Sequence, residues 1–124
     1  MKLTTLKSRL QRAPARLGTL TARPNVLTRK TGWAGKRDRE RIRERDGELC
    51  QNCGQLGRDV DHDVPLWVGV AAGGTDEDSN KRVLCTVCHE AKSKLETSQR
   101  AAGTYDYDTV RTMMGQLGRS RRLV

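Results

Sequence analysis

Two cysteine pairs decide how this chain can fold: residues 50–53 read CQNC and residues 85–88 read CTVC. A two-residue spacing lets both thiolates of a pair bind one tetrahedral zinc ion, so each pair supplies half of a four-cysteine site. The alternative is two disulfides, which need an oxidising compartment. The start of the chain places Leu3, Leu6 and Leu10 among Lys and Arg rather than in the apolar run of a secretion signal, which favours zinc.

The composition supports one small domain with a limited core. The 124 residues are 35% hydrophobic, with two Trp, two Tyr and no Phe. A structural zinc ion can add on the order of 10 kcal/mol of folding free energy to such a domain. No stretch approaches the roughly 20 apolar residues that cross a bilayer. We therefore expect a protein of the cytoplasm with no membrane contact.

The charge distribution indicates a polyanionic partner. The net charge is +9. Residues 1–37 hold ten Lys or Arg and no acid, residues 50–99 hold five bases and eight acids, and residues 100–124 hold five bases and two acids. Basic ends around an acidic centre suit a nuclease that holds phosphates at its periphery and divalent cations at its centre. Tails that serve only solubility are the alternative.

The N-terminal part predicts an arm followed by a charged helix. Residues 1–33 form a basic, partly ordered arm, because Pro and Gly interrupt any regular period. An organellar transit peptide has a similar composition. Residues 36–46, KRDRERIRERD, predict a helix that Gly47 ends. Since Ile42 is its only apolar residue, the helix is either a solvated spacer or a basic rail along DNA.

The segment around the cysteines predicts two strands and a helix. Residues 58–64 and 81–84 are the strands, and Pro65 and several glycines make the connection irregular. Residues 86–100 predict the helix, with Thr86 as a candidate cap. The expected fold class is therefore small α+β.

Two boundaries follow from these elements. Residues 34–100 should form the domain, with the zinc site and the two strands and helix within residues 50–99. Residues 101–124 should form a short helix that Asp108 caps, that runs through Val110 to Met114 and that stops at Gly115, followed by a basic tail.

Both histidines of the chain fall in or directly beside the 31 residues that separate the cysteine pairs. Asp61, His62 and Asn80 lie within that segment, and His89 directly follows Cys88. Adjacent residues on a helix diverge by about 100°. If Cys88 faces zinc, His89 is free to face the preceding strands. A replacement zinc ligand or a surface residue is the alternative for His89.

These residues resemble the HNH endonucleases in their ββα-metal form with a four-cysteine zinc site. The resemblance covers residues 45–96 and rests on CQNC, VDHDVPLW, a Gly-rich loop and SNKRVLCTVCHEAKSKLE. It implies a metal-dependent enzyme that hydrolyses DNA phosphodiester bonds, with a structural zinc ion and a catalytic Mg²⁺, Mn²⁺ or other divalent ion. The basic arm is similar to small HNH proteins of tailed bacteriophages. This similarity implies phage terminase or packaging proteins as partners and the cytoplasm of the host cell as the location.

The resemblance also implies a role for each site residue. His62 would be the general base, and Asp61 and His89 would bind the catalytic ion. A neutral imidazole can take a proton from water near neutral pH, and a divalent ion can stabilise the charge that builds up on phosphate. Asn80 would be the central Asn of the family. We expect it to hold the loop rather than join the metal ligands, because an amide is a weak ligand beside a carboxylate.

Several other polar residues carry weaker expectations. The DNA contacts expected from the charge pattern are Arg37, Arg41, Arg45, Lys92 and Lys94. Asp63 replaces the branched apolar residue that the family more often has there, and we expect a solvated edge carboxylate rather than an extra contact near the metal. Residues 76–78, DED, should be a solvated loop.

The tryptophans and the overall activity leave alternatives open. Trp33 and Trp67 could stack on bases, although core packing is the better expectation for Trp67. A zinc module without catalytic activity, which binds nucleic acid or docks on a packaging complex, is the alternative to a nuclease.

Overall fold

The computed structural model describes residues 25–122, which form three α-helices and a two-stranded antiparallel sheet. The elements are α1 (Gly32–Asp46), β1 (Asp59–His62), β2 (Lys81–Leu84), α2 (Thr86–Ala101) and α3 (Tyr107–Arg121). Three short 3₁₀ turns, Leu66–Val68, Val70–Ala72 and Asp78–Asn80, lie between the strands. This is the small α+β, ββα arrangement that the sequence predicts. Expectations about the first 24 residues of the arm lie outside the described residues.

The β-hairpin has two chemically different faces. Its register pairs Asp61 with Arg82 and His62 with Lys81. Alternate residues of a strand point to opposite faces. The face toward α2, here called the α2 face, carries Asp59, Asp61, Arg82 and Leu84. The face toward α1, here called the α1 face, carries Val60, His62, Lys81 and Val83. Neighbouring residues 61 and 62 therefore lie on opposite sides of β1.

Helix α1 is docked on the hairpin through polar contacts. Ile42 is its one large apolar side chain that is fully buried, and the other contacts are polar. The Asp46 carboxylate accepts a hydrogen bond from the Val83 backbone N–H at 2.9 Å. Arg45 donates to the Asp78 carbonyl oxygen at 2.8 Å. The helix ends where the sequence predicts, because Gly47 adopts the left-handed conformation with φ 65°. The expectation of a solvated spacer is wrong, since α1 is an integral part of the domain.

Helix α3 is longer than the sequence predicts. It runs through Gly115 to Arg121, and its N-cap is Asp106, whose carboxylate accepts from the Asp108 and Thr109 backbone N–H groups. A glycine within a helix costs only about 1 kcal/mol relative to alanine. Val110 and Met114 offset that cost by packing into the core. The predicted stop at Gly115 is therefore wrong.

The core lies between the hairpin, α2 and α3. Its buried members are the four cysteines with Leu84, Val110 and Met114. Gly118 allows α3 to approach the first cysteine pair, because a Cβ at this position would collide with the Asn52 carbonyl oxygen. The four-cysteine cluster thus occupies the place where a larger domain would have an apolar centre.

The two tryptophans lie at the periphery. Trp67 is partly buried and contacts Tyr105 edge-on, with ring centroids 5.5 Å apart, while Arg100 lies over its ring. Trp33 is 76% exposed. Trp67 therefore packs as expected, but beside the central core. Among the described residues, no helix combines the length and the apolar character needed to cross a membrane.

Candidate functional site

The four cysteines form a compact buried cluster. Their Sγ atoms all lie within 4.8 Å of one another, and Cys53 Sγ is 3.6 Å from Cys85 Sγ. Zn–S bonds of about 2.3 Å in a tetrahedron put the sulfurs about 3.8 Å apart, so the cluster fits zinc. All four are free cysteines. The disulfide alternative is wrong, and the sequence spacing correctly predicts the cluster.

Hydrogen bonds to sulfur support this fit. Two backbone N–H groups point at sulfur, from Cys53 to Cys50 Sγ at 3.4 Å and from Cys88 to Cys85 Sγ at 3.5 Å. The Asn52 amide donates to Cys88 Sγ at 3.4 Å. Burial nevertheless raises the pKa of the metal-free Cys88 thiol to about 12. Zinc must therefore displace thiol protons, and its affinity should fall as the pH falls.

On the α2 face, Asp61 and His89 lie close enough to share a metal ion. His89 Nε2 is 3.7 Å from Asp61 Oδ1, and His89 Nδ1 is 3.3 Å from Asp59 Oδ2. Two ligand atoms, each about 2.1 Å from one ion, are at most about 4.2 Å apart. The pair fits a divalent ion, with Asp59 behind the imidazole in the position that orients metal-binding histidines. Asp59 was not among the residues predicted from the sequence. Its position two residues before Asp61 in a strand was the signal that could have identified it, because such residues share a face.

Lys92 lies beneath this pair and is only 1% exposed. Its ammonium is 2.7 Å from Asp61 Oδ2, donates to the His62 carbonyl oxygen at 2.8 Å and pairs with Glu96. Burial raises the pKa of Glu96. Lys92 was expected to contact DNA, and this expectation is wrong because its ammonium is buried among these three partners. Lys92 instead pairs with Oδ2 of Asp61, and Oδ1 of Asp61 faces His89.

His62 lies on the α1 face. Its Nε2 is 2.8 Å from Asp76 Oδ1, and its side chain is 14% exposed. Lys81 Nζ joins the same carboxylate at 3.1 Å and reaches Asp38 at 3.4 Å. The structure thus brings Asp61 and His89 together, whereas the His62 imidazole faces a different set of partners.

The loop before β2 is not the solvated segment that the sequence predicts. The Asp76 side chain is 12% exposed, and burial disfavours its charge. Bonds from His62 and Lys81 outweigh that penalty and lower the pKa of Asp76. Asp78 is bound by Arg41 at 2.6 Å. The expectation is therefore wrong for Asp76, because His62 of β1 and Lys81 of β2 reach its carboxylate, whereas the Asp78 side chain remains 43% exposed.

Asn80 holds the connection between the strands. Its side-chain amide donates to the carbonyl oxygens of Val64 at 3.0 Å and Thr75 at 2.7 Å, and its oxygen accepts from the Val64 backbone N–H at 2.9 Å. The residue is 9% exposed. These bonds match the loop role that the sequence favours for Asn80.

Asp63 is anchored rather than simply solvated. Its carboxylate accepts from the Tyr107 hydroxyl at 2.7 Å and is 3.4 Å from an Arg82 nitrogen. The side chain is 32% exposed. Tyr107 belongs to α3, so the sequence could not show that this distant helix would meet β1.

Two of the three α1 arginines that were expected to bind DNA, Arg41 and Arg45, already pair with aspartates. Arg41 makes two bonds to Asp78, at 2.6 and 2.8 Å, and Arg45 binds Asp46 at 2.9 Å. Both are therefore fold contacts first. Arg37 and Lys94 are exposed.

Comparison with known proteins gives one match. The family model described as HNH endonuclease matches residues 50–95, which include both cysteine pairs, Asp61, His62, Asn80 and His89. No curated protein and no solved structure matches the chain significantly.

Proposed function

We propose that this chain, whose residues 50–95 match the HNH endonuclease family model, hydrolyses DNA phosphodiester bonds with a divalent ion held by Asp61 and His89. The observation that carries the proposal is the 3.7 Å approach of Asp61 Oδ1 and His89 Nε2 on the α2 face. A purely structural zinc module does not require this pair. The four cysteines then hold the structural zinc ion.

Each residue around the pair has a defined part in holding the ion. Asp61 offers Oδ1, because Lys92 occupies Oδ2, and His89 offers Nε2, because Asp59 lies at Nδ1. A bound Mg²⁺ or Mn²⁺ would stabilise negative charge on the phosphate and on the departing 3′ oxygen. One carboxylate and one imidazole leave most of the ion's positions for DNA and water.

We assign the general base to His62. Asp76 accepts at Nε2, so the nitrogen left to take a proton from water is Nδ1. The Asp76 carboxylate would also stabilise the imidazolium ion that forms. His62 is the last residue of β1, so we place the attacking water beyond the strand end, where the two faces meet. Catalytic hydrogen bonds often close only when substrate binds.

The proposal is tested by nicking of supercoiled plasmid DNA. Wild type should nick in Mg²⁺ or Mn²⁺, and His89→Ala should lose nicking while keeping its zinc content and helical circular dichroism. Glu90→Gln, which removes an exposed charge from the same helix, is the matched control and should nick normally. A mild chelator should stop cleavage before it removes zinc. Undiminished nicking by His89→Ala contradicts the metal assignment.

One observation favours a second candidate, a zinc-stapled module that binds nucleic acid without cutting it. The His62 imidazole lies on the face opposite the Asp61–His89 pair, bonded to Asp76. If that arrangement persists on DNA, no base reaches the water. Purified protein would then bind DNA tightly at low salt, and no divalent ion would support cleavage. The link to bacteriophage terminase or packaging proteins rests on the resemblance of the basic arm and stays a prediction.

A further inference from the structure

A cleft of about 920 Å³ separates α3 from the edge of the hairpin. Four arginines and two aspartates are among the residues that line it: Arg82, Arg111, Arg119, Arg122, Asp63 and Asp108. Positive charge therefore predominates in the cleft. Helix α3, which forms one wall of the cleft, lies beyond the segment that the family model matches, residues 50–95, so that match gives this wall no role.

The arginines of α3 are arranged along one stripe. Arg111, Gly115 and Arg119 recur every four residues, which places them on the same side of the helix. The Cα atoms of Arg111 and Arg119 are about 12 Å apart along the helix axis, because each residue adds 1.5 Å. Gly115 has no side chain, and the Arg119 side chain reaches back toward it, because a Cβ at position 115 would lie 3.6 Å from Arg119 Nη1.

The cleft begins beside the candidate metal pair. Arg82 is the cross-strand partner of Asp61, and it also lies 3.4 Å from Asp63. The Tyr107 hydroxyl donates to the same Asp63 carboxylate, which fixes the start of α3 at this end of the sheet. A strand whose phosphate sits at Asp61 could therefore continue past Arg82 along α3.

We propose that this cleft binds the phosphate backbone of duplex DNA beside the bond that is cut. Guanidinium groups suit this partner, because their planar fork donates two hydrogen bonds to one phosphate. Arg111 and Arg119 are exposed along the cleft, whereas Arg41 and Arg45 of α1 are held by aspartates. The choice of DNA as the partner rests on the proposed nuclease function.

The test is fluorescence anisotropy of a labelled DNA duplex at several salt concentrations, without added divalent ion, so that cleavage is not required. The variant is Arg111→Glu combined with Arg119→Glu. Arg58→Glu is the control, because Arg58 is 74% exposed and lies outside the cleft. The double variant should lose at least about tenfold in affinity, and its salt slope should fall by about one per lost phosphate contact.

Two controls keep the result interpretable. Unchanged zinc content and circular dichroism show that the double variant folds. Equal affinities and equal salt slopes for wild type and the folded double variant overturn the proposal, as does an equal loss per charge in Arg58→Glu. If wild type cuts no DNA in any divalent ion but the double variant still loses binding, the nuclease proposal fails and the cleft proposal stands.

Discussion

The two faces of the short hairpin differ in how their charged side chains are paired. On the α2 face, Lys92 binds only one oxygen of Asp61, and the other oxygen faces His89 Nε2 at 3.7 Å. On the α1 face, Lys81 bridges Asp38 and Asp76, and Asp76 also binds His62. The first arrangement leaves a carboxylate oxygen and an imidazole nitrogen close enough to bind one ion. The second is a closed chain of ion pairs that docks α1 and orients an imidazole.

This difference suggests a division of labour between adjacent residues. Asp61 and His62 are neighbours in sequence, yet the strand sends them to opposite faces. Metal binding should therefore depend on the α2 face alone, while proton transfer depends on the α1 face. Variants on each face test this separation.

The largest effect should come from His62→Ala on the α1 face. Loss of a general base typically costs roughly 10² to 10⁴ in rate. We expect this fall in kcat for plasmid nicking, with Mn²⁺ affinity and zinc content unchanged. Single-turnover cleavage at saturating enzyme measures it. If the variant cuts at the wild-type rate, His62 belongs only to the docking network.

The next effect should come from Lys92→Met on the α2 face. Removing one partner of a buried ion pair costs about 3–5 kcal/mol. The variant should be less stable in urea, because Asp61 and Glu96 then share a site without their cation. It should also bind Mn²⁺ about 10- to 100-fold more weakly than wild type, since Asp61 loses its orienting contact.

A second substitution separates these two effects of Lys92. Lys92→Met combined with Glu96→Gln removes one unpaired carboxylate and should recover part of the stability, but not the Mn²⁺ affinity. Full recovery of both would mean that Lys92 acts only through folding.

The smallest effect should come from Asp76→Asn. Its carboxylate has a lowered pKa in the fold, so it contributes stability above its ordinary value of 3.8 and loses that contribution as the pH falls through its folded value. Asp76→Asn should therefore flatten the loss of stability in acid, measured as urea midpoints at neutral pH and below pH 3.8. We also expect about a tenfold loss in kcat, because His62 loses the partner that fixes its tautomer.

If Asp76→Asn loses as much stability in acid as wild type does, Asp76 does not stabilise the fold through these ion pairs. If stability falls but kcat does not change, the ion pairs of the α1 face are supported and Asp76 has no part in catalysis.

Much of this comparison was within reach of the sequence. The cysteine spacing predicts the cluster, and the position of His89 after Cys88 correctly predicts that it turns toward Asp61. Strand alternation alone already separates Asp61 from His62, a consequence that the resemblance to a known family obscures. The contacts that the sequence did not predict join residues that are far apart in the chain, so they depend on how the whole domain folds.

Two residues illustrate why those contacts could not be read from the pattern. Asp76 reaches His62 only because the irregular loop before β2 folds back along the α1 face, and no periodicity encodes such a loop. Lys92 looks like an exposed helix lysine, but the fold buries it against Asp61 and Glu96. Both errors concern charges whose partners are distant in sequence.

The most direct test of the division between the faces is Mn²⁺ binding, measured by electron paramagnetic resonance on zinc-loaded protein. Wild type and His62→Ala should bind one Mn²⁺ ion with the same affinity, and Asp61→Asn should lose that site while keeping zinc. Equal Mn²⁺ binding by Asp61→Asn, or loss of binding in His62→Ala, would contradict a metal centre between Asp61 and His89.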